Sequence, residues 1–509
     1  MPLLLLFLFT LPLIQPILTA GFFRTDDGGF MITRLFAFHE TLKTGQFPVR
    51  FLETINHGYG YPVLDFLYPL PFYIGELIHL AGFSFMDSIK LLFALSFLLS
   101  AFAMYRLVAS KWGVKAGLVS AVLYTYAPYR VFDVYKRGSL GEALAFIFLP
   151  LIIYYLFRVR EKHRGVDIAL GAFFYAALIT SHNVLAFIFT PLIVLFVLQP
   201  LTKKDRDVSG FVLEVVSLAL GVGLTTFFWL PAFYDLQYTR AASVQIAEFK
   251  NYFLYPDNLN YLLGPALPFA VLAALLIAVK NHNRSLFILI ALTILSLVPA
   301  LPLFTPVWRY GFLPRLVQFP WRFLSVTVFL GSVLAGAVIK RWGKWPAVLL
   351  VMGIIIINGL QSYKIDKIFY PETYYTGKDD TTTVKNEYLS RWVKNEFLTL
   401  PPGKLTILSG MGTIVSDRQV IADTPLKLRI NRIYFPGWQV LVDGAPVNIR
   451  YENEGFLDIS IPVGEHEINA RFRETPVRQL ADLVSLLSLG GLLFFLLKAY
   501  NKKLAKDEQ

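Results

Sequence analysis

Long apolar stretches separated by short polar segments recur along the chain between residues 3 and 497. A helix of about 18 residues or more is long enough to cross the roughly 30 Å hydrocarbon layer of a membrane. The first stretch has no Lys or Arg before it, which distinguishes it from a signal peptide and indicates a retained helix. The pattern predicts twelve membrane-spanning helices, at residues 3–23, 87–107, 116–128, 140–157, 166–182, 183–199, 210–230, 262–279, 285–301, 322–339, 346–362 and 480–497.

Basic residues concentrate in every second connection between these stretches. The positive-inside rule places such connections in the cytoplasm, and it places both chain termini there as well. The segments left on the outer side are 24–86, 129–139, 231–261, 302–321 and 363–479. The basic residues that carry this prediction are Arg106, Lys111, Lys115, Arg158, Arg160, Lys162, Arg164, Lys203, Lys204, Arg206, Lys280, Arg284, Lys340, Arg341, Lys344, Lys498, Lys502, Lys503 and Lys506.

The last outer segment has the pattern of a small β domain. Asp443-Gly444 predicts a hairpin turn, and Pro462 with Gly464 predicts another. The predicted strands are 406–408, 413–415, 426–433, 439–442, 447–451, 456–461 and 467–472. We therefore expect three parts, namely a transmembrane module over 1–362, an extracytoplasmic domain over 363–479 that forms a β-sandwich from about 404, and a last helix with a basic tail over 480–509.

Composition places the chain in a membrane and excludes several classes of function. Of the 509 residues, 55% are hydrophobic and only 16% are charged, which excludes an ordinary soluble enzyme. The net charge of +12 comes with no basic patch interleaved with aromatic residues, so nucleic-acid binding is not expected. With no cysteine, the chain has no disulfide, thiolate nucleophile or Cys-type zinc site. We expect a multi-pass protein of the cytoplasmic membrane, in contact with its lipids.

The first outer segment contains the first candidate site. Asp26 and Asp27 follow the first helix directly, and Arg34 lies in the amphipathic stretch after them. Two adjacent carboxylates can share a proton, bind a divalent metal, or act as a general base and its modulator. Asp-Asp-Gly-Gly is also typical of a solvated turn. Both interpretations remain open on the sequence, and so does the participation of a metal.

Polar residues at other predicted helix ends form a second candidate group. They are Arg137 and Glu142 around the start of the fourth helix, and His182 and Asn183 between the fifth and the sixth. These side chains could bind a substrate on the outer side. The alternative is structural, because a carboxylate at a helix end is typical of an interfacial side chain and a tight polar turn also explains the His-Asn pair.

A third candidate group consists of arginines on the outer side, against the positive-inside trend. Arg309, Arg315 and Arg322 lie in a stretch that contains no acidic residue. A guanidinium offers paired donors in a planar fork, which suits a phosphate or pyrophosphate. The aromatic residues around them indicate anchoring at the membrane interface as the alternative.

The order of these motifs and their side of the membrane resemble the integral-membrane GT-C glycosyltransferases. The resemblance is closer to the YfhO family and to the bacterial membrane proteins labelled 6-pyruvoyl-tetrahydropterin synthase-related, a label that implies no pterin chemistry. It spans nearly the whole chain. It is carried by Asp26-Asp27-Gly28-Gly29-Phe30, Gly58-Tyr59-Gly60-Tyr61-Pro62, Tyr68-Pro69-Leu70, Arg137-Gly138-Ser139-Leu140-Gly141-Glu142, Ser181-His182-Asn183, Gln318-Phe319-Pro320-Trp321-Arg322, Tyr434-Phe435-Pro436-Gly437-Trp438 and Val442-Asp443-Gly444.

The resemblance implies a catalytic base or metal-binding acid at Asp27, with Asp26 beside it. Met31 stands where related sequences often carry a histidine, so any role of that histidine is missing or supplied elsewhere. The resemblance also implies a donor sugar on a polyprenyl phosphate, with the arginine-bearing loop as its phosphate site. The acceptor would be an extracytoplasmic glycan, lipid or protein, and the one cofactor left open is a divalent metal.

Two other functions are compatible with the same topology. A transporter or lipid flippase also has about twelve helices, but transporters usually carry ionisable groups near the middle of the membrane. The predicted helices are almost uncharged there. A non-catalytic scaffold for envelope polysaccharide assembly, with the β domain as its working part, is the third hypothesis.

Overall fold

The computed structural model describes residues 2–202, 207–241, 248–342, 344–362, 364–366, 368–394 and 399–507. The predicted basic cluster of Lys203, Lys204 and Arg206 lies outside these residues. Helices make up most of the described chain, and a β domain precedes the last of them. The helices are α1 (Pro2–Ile14), α2 (Gly28–Lys43), α3 (Val63–Phe66), α4 (Leu70–Leu80), α5 (Phe85–Trp112), α6 (Val114–Tyr126), α7 (Pro128–Phe132), α8 (Leu140–Lys162), α9 (Gly165–Ser181), α10 (Asn183–Leu198), α11 (Val208–Leu224), α12 (Thr226–Asp235), α13 (Leu259–Leu262), α14 (Ala266–Lys280), α15 (Arg284–Leu297), α16 (Thr305–Tyr310), α17 (Leu313–Leu316), α18 (Leu324–Trp342), α19 (Trp345–Ser362), α20 (Glu372–Thr376) and α21 (Pro476–Asp507).

Each predicted membrane span coincides with an apolar helix, but many of these helices are short. By length and hydropathy, five helices of the described chain can cross a membrane singly, namely α5, α8, α18, α19 and α21. The number rises to seven when two bent helix pairs are counted as one span each, and others, such as α9, α10 and α14, have 10–17 residues. The expected fold class, a polytopic helical membrane protein with a β domain before its last helix, is confirmed.

Two helical regions are bent at identifiable residues, one inside the predicted span 210–230 and one at the end of the predicted span 285–301. α11 and α12 meet at 60°, and the helical segment that contains α15 meets the one that contains α16 at 70°. At the first bend the Thr225 hydroxyl donates to the carbonyl oxygens of Gly221 (3.2 Å) and Val222 (3.0 Å), which competes with regular helix bonds. At the second bend Pro299 and Pro302 have no N–H to donate. The sequence pattern treated the first of these regions as one straight helix.

The β domain consists of two antiparallel sheets that share a core. Five strands lie in the order β4-β5-β10-β7-β8, and three in the order β3-β6-β9. Alternate side chains of both sheets are buried, such as Leu428 of β6 and Val440 of β7. A separate two-stranded ribbon pairs β1 with β2. The strands are β1 (Phe22–Phe23), β2 (Phe369–Tyr370), β3 (Leu405–Ser409), β4 (Gly412–Ile414), β5 (Gln419–Ala422), β6 (Leu426–Ile433), β7 (Trp438–Val442), β8 (Ala445–Val447), β9 (Phe456–Ile461) and β10 (Gly464–Phe472).

The predicted hairpin at Asp443-Gly444 is confirmed. Val442 pairs with Ala445, and the turn residues have φ angles of +51° and +81°, as a type I′ turn requires. This tight turn makes the next strand begin at once, so β8 covers Ala445–Val447 and not the predicted 447–451. β5 was not predicted.

Buried ion pairs join the segment 24–86, predicted to be outside, to α12 and to the last helix. The Arg478 guanidinium donates to Asp235 at 2.9 Å and lies 3.5 Å from Asp65. Arg50 lies 3.4 Å from the other carboxylate oxygen of Asp65. All four side chains are buried, and buried charges are stable only when paired. The network of ion pairs therefore fixes the start of α21 against the segment 24–86.

Candidate active site

Asp26 and Asp27 are neighbours with different surroundings. Asp26 is exposed, and one of its carboxylate oxygens lies 2.7 Å from Lys136 Nζ. Asp27 is half-buried at the N-terminus of α2, where the Thr25 hydroxyl accepts the Gly28 N–H at 2.9 Å. Among the described residues, the Asp27 carboxylate forms no hydrogen bond and no ion pair. Asp27 is thus the one of the two that remains free to accept a proton.

Gly138 allows the segment 129–139, predicted to be outside, to lie against the turn formed by Asp27 and Gly28. The Asp27 N–H donates to the carbonyl oxygen of Arg137 at 2.7 Å. Gly138 has a left-handed φ of +66°, and a Cβ at this position would lie 2.5 Å from the Gly28 nitrogen. Only glycine allows the two backbones to approach this closely. Gly138 therefore holds Arg137 next to Asp27.

Glu142 is the centre of a buried charge cluster. One of its oxygens accepts from Arg137 at 2.7 Å, and the other accepts from the Tyr129 hydroxyl. Arg137 also donates to Asp133 at 2.8 Å. All four residues are at most 3% exposed. The segment Asp133–Arg137 forms a single π-helical turn, a distortion that often occurs at functional sites.

Arg322 and His182 reach the same carboxylate from distant parts of the chain. Arg322 Nε lies 3.5 Å and His182 Nε2 lies 4.0 Å from Glu142 Oε2. His182 Nδ1 accepts the N–H of Leu185 at 3.1 Å, because His182 caps the N-terminus of α10. A neutral ring with this bond carries its proton on Nε2.

A second glycine sets the spacing between α8 and the turn before α10. A Cβ on Gly141 would lie 2.3 Å from the Ser181 carbonyl oxygen and 2.3 Å from the Tyr68 ring. The Tyr68 ring in turn lies 5.0 Å from the ring of His182. The two glycines of the Arg137-Gly138-Ser139-Leu140-Gly141-Glu142 motif thus allow two close contacts. Gly138 lies against Gly28, and Gly141 lies against Ser181 and Tyr68.

The loop that carries Arg322 is held by its own contacts. Arg322 Nη1 donates to the Val317 carbonyl oxygen at 2.7 Å and to Gln318 at 3.1 Å. The guanidinium lies 4.7 Å from the Phe319 ring, and the Arg137 guanidinium lies 5.5 Å from the same ring. A ring face that attracts both cations offsets part of their repulsion. Arg322 Nε forms no hydrogen bond within the described chain, but it faces Glu142 Oε2 at 3.5 Å.

The pKa of Asp27 is set by two opposing effects. Burial raises the pKa of Asp27 above its usual 3.8, and this effect exceeds the lowering by the charges of Arg137 and Arg34. Arg34 lies buried on α2 and donates to the Thr382 hydroxyl at 2.9 Å. A carboxylate with a raised pKa is a stronger base than an exposed one.

Arginines outnumber carboxylates in this region. Burial together with Glu142 also raises the pKa of Asp133 well above its usual range, which increases the positive excess. Such an excess in a buried site favours an anionic ligand. The charged residues are Arg34, Arg130, Arg137, Arg322, Asp27, Asp133 and Glu142.

Three residues named by the sequence lie apart from this cluster. Arg309, Arg315 and Asn183 are exposed, and none contacts the cluster within the part of the chain that the structure describes. Of the three arginines in the predicted loop, only Arg322 is therefore brought to Asp27 and Glu142.

Two residues of the cluster were not singled out from the sequence. Tyr129 precedes Arg137 by two helical turns, and Tyr68 belongs to a motif that was noted only for its resemblance. In the described ranges, no group of three or more His, Asp or Glu side chains is arranged to hold a metal ion.

The apolar helices, the β domain and the charge cluster at helix ends define a polytopic membrane protein with a buried polar site. The model of a family described as "6-pyruvoyl-tetrahydropterin synthase related domain; membrane protein" matches residues 64–365. The chain therefore belongs to this family of membrane proteins, as its motifs predicted. The matched region contains Arg137, Glu142, His182 and Arg322 and begins after Asp27.

A curated relative comes from Lactococcus lactis subsp. cremoris (strain MG1363) and is described only as an uncharacterized protein. It is 24% identical over 257 residues, which are 49% of this chain and 42% of the relative. The chain thus matches less than half the length of that relative.

Two solved structures are similar to the chain at low sequence identity. The arabinofuranosyltransferase AftD from mycobacteria has a TM-score of 0.49 and 13% identity, over 75% of this chain and 27% of AftD. ArnT from Cupriavidus metallidurans, bound to undecaprenyl phosphate, has a TM-score of 0.45 and 14% identity, over 73% of this chain and 67% of ArnT. Likeness at these TM-scores supports no statement about activity.

Proposed function

We propose that this protein is a GT-C-type glycosyltransferase that moves a sugar from a polyprenyl-phosphate-linked donor to an extracytoplasmic acceptor. The acceptor is a cell-envelope glycan, lipid or protein. The observation that carries the proposal is the free carboxylate of Asp27 beside a buried group of arginines. A base and an anion site next to each other are what transfer from a sugar phosphate needs.

Asp27 is the base in this proposal. Asp26 is paired with Lys136 at the surface, whereas Asp27 has no partner among the described residues. Because burial raises the pKa of Asp27, its carboxylate accepts a proton more readily than an exposed aspartate does. Asp26 adds a negative charge that raises the pKa of Asp27 further.

Arg322 is the leading candidate for the donor phosphate. Its Nε lies 3.5 Å from Glu142 and forms no hydrogen bond within the described chain, so the carboxylate orients the guanidinium through its charge. Arg137 already donates to both Glu142 and Asp133, so it contributes charge and holds Glu142 in place. A planar guanidinium can donate two parallel bonds to phosphate oxygens.

The reaction then balances without a further group. A hydroxyl oxygen of the acceptor attacks the anomeric carbon of the sugar and forms the new bond as the bond from that carbon to the phosphate oxygen breaks. The hydroxyl proton passes to Asp27, and the electron pair leaves with the polyprenyl phosphate. Arginine charge stabilises the phosphate as its negative charge grows.

An apolar helix next to the site offers a place for the prenyl chain. α4 begins two residues after Tyr68, and it exposes Leu77 (68%) and Leu80 (65%). Exposed leucines on a helix of a membrane protein are suited to contact with hydrocarbon. The donor would place its phosphate on arginine and its tail along this surface.

The test is transfer by the purified protein in lipid nanodiscs. Radiolabelled hexoses and pentoses linked to undecaprenyl phosphate are supplied with acceptors extracted from cell envelopes. We expect one donor to be consumed with label in a product, and no consumption with Asp27→Asn. Transport of the unchanged donor across the bilayer of proteoliposomes would identify a transporter or flippase. If the donor is neither consumed nor transported, the result would favour the non-catalytic scaffold.

A further inference from the structure

The β domain contains a cleft of about 550 Å³ beside the edge strand β8. Residues of β7, of β8 and of the segment after β8 line it. Tyr434, Trp438 and Tyr451 contribute aromatic rings, and Gln439 and Asn448 contribute amides. No residue that lines the cleft carries a charge. The other lining residues are Val440, Leu441, Pro446, Val447 and Ile449, so the lining is uncharged, with aromatic and aliphatic side chains and two amides, which differs from the arginine cluster around Glu142.

The aromatic rings of the cleft form a rigid surface. The rings of Tyr434 and Tyr451 stack with their centroids 3.5 Å apart and an interplanar angle of 3°. Trp392 packs against both, at 5.3 Å from Tyr434 and 5.0 Å from Tyr451. Both tyrosines are half-buried, so part of the stacked surface stays accessible. Rings held in this way lose little conformational freedom when a ligand binds.

Trp438 forms part of the inner wall of the cleft. It is only 6% exposed, and its ring packs edge-to-face against Phe51 at 5.2 Å and Phe472 at 5.6 Å. These contacts hold the ring in one position.

We propose that this cleft binds a neutral pyranose ring of the acceptor glycan. The C–H face of a pyranose packs on an aromatic ring by dispersion and by attraction to the negative ring face. Its hydroxyls can both donate to and accept from the amides of Gln439 and Asn448. The lack of charge in the lining favours an uncharged sugar over a phosphate or an acidic one. The role of this glycan as acceptor rests on the proposed transferase function, but its binding does not.

An extended peptide is the main competing occupant because β8 is an edge strand. Peptides add to such edges through backbone hydrogen bonds. β8 has only three residues, and Pro446 in its middle has no N–H to donate. The edge of β8 is therefore poorly suited to strand addition. Pro446 does not prevent a ligand from packing on the stacked rings of Tyr434 and Tyr451.

A short stretch of chain connects the cleft to the arginine cluster. Thr382 accepts a hydrogen bond from Arg34, and Tyr388 stacks on Phe66 with centroids 4.8 Å apart. Trp392, ten residues after Thr382, lies against the cleft tyrosines. Ten residues span at most about 35 Å. A glycan of several sugars can therefore occupy the cleft and present one end to Asp27.

The experiment measures glycan binding to the full-length protein in nanodiscs, without any donor. The probes are maltohexaose, cellohexaose and chitohexaose. Their binding is measured by saturation-transfer NMR and by tryptophan fluorescence. We expect at least one hexasaccharide to bind, and Tyr451→Ala and Gln439→Ala to weaken its binding by about tenfold or more. Gln419→Ala is the matched control, since Gln419 is an exposed glutamine on β5 of the same sheet, and it should leave binding within about twofold.

Three outcomes would overturn the proposal. They are no binding of any hexasaccharide, unchanged binding in both cleft variants, and binding of an octapeptide of alternating valine and threonine in place of a glycan. The same titration with Asp27→Asn separates this proposal from the transferase. Glycan binding should persist in that variant, whether or not its transfer activity is lost.

Discussion

Asp27 and Arg137 are joined through the backbone, since the Asp27 N–H donates to the Arg137 carbonyl oxygen at 2.7 Å while the Arg137 side chain binds Glu142 at 2.7 Å. One residue thus positions the proposed base with its main chain and the charge cluster with its side chain. The distance between the proposed base and the arginines depends on this link between the segments 24–86 and 129–139.

Asp27→Asn should reduce sugar transfer by about 10² or more, because the amide keeps the shape of the side chain but cannot act as the base. The matched control is Asp26→Asn, which removes an exposed ion pair with Lys136 and should change the rate only a few-fold. Initial rates are measured per folded molecule. Equal losses in the two variants would contradict the assignment of Asp27 as the base.

The pH dependence of transfer should reveal the raised pKa of Asp27. The base must be ionised, so kcat/KM should fall as the pH drops through the folded-state pKa, and the midpoint should lie above 3.8. Arg34→Gln removes a charge that lowers this pKa, and it should move the acid limb to higher pH. A shift to lower pH would show that Arg34 does not act on the titrating group.

The same pKa shift predicts a stability effect with a definite sign. A carboxyl group whose pKa is raised on folding contributes its full stabilisation below its unfolded pKa, and this contribution is lost as the pH rises through the folded-state pKa. Asp27→Asn should therefore keep or raise the thermal midpoint at neutral pH, measured by tryptophan fluorescence in nanodiscs. A large drop in the midpoint would indicate a structural role for Asp27.

Arg322→Gln should weaken donor binding by about 1 to 3 kcal/mol, the range of a hydrogen bond to a charged group. Lysine should restore only part of the affinity, because a point charge lacks the planar fork. Arg309→Gln and Arg315→Gln are controls from the same loop with exposed side chains, and they should bind as the parent does. If Arg322→Gln binds the donor as tightly as the parent does, the loop that carries Arg322 does not bind the donor phosphate. Arg137 would then be the next candidate for that role.

Gly138→Ala should reduce transfer by at least about tenfold, since its Cβ would lie 2.5 Å from the Gly28 nitrogen beside Asp27. Gly45→Ala is the control, because Gly45 also has a left-handed φ, of +85°, but has no atom within 4 Å of the added Cβ. Both variants carry left-handed strain of about 1–2 kcal/mol. Similar activities in the two would show that the close approach at Gly138 is unimportant.

Both chain termini and Lys162 should be cytoplasmic, and the β domain should be outside. The chain has no cysteine, so single cysteines can be labelled in intact cells with an impermeant maleimide. Ser416→Cys, exposed in the β domain, should react, and Lys162→Cys should not. The reverse pattern would contradict the predicted topology and, with it, an extracytoplasmic Asp27.

Local patterns along the chain were sufficient for the helices, the β domain and its hairpin. Apolar stretches mark helices because the bilayer leaves no other way to satisfy the backbone, and Asp443-Gly444 has the φ angles that a two-residue turn demands. The same local signals could not show that α11 ends at Leu224 with a 60° bend, since at this break the Phe227 N–H donates to the hydroxyl of Ser485, a residue of α21 that is distant in the sequence.

The sequence predicted the candidate site only as a set of residue types in segments that the positive-inside rule assigns to the outer side. Tertiary structure selected among them, because burial and pairing depend on which segments meet. Asp26 and Asp27 are adjacent and alike in sequence, yet one pairs with Lys136 and the other stays free among the described residues. Arg309, Arg315 and Arg322 share one loop, yet only Arg322 folds back onto Val317 and reaches Glu142, 180 positions earlier in the chain. Charges so far apart in sequence interact through distance and dielectric in the folded protein, and no local pattern contains either quantity.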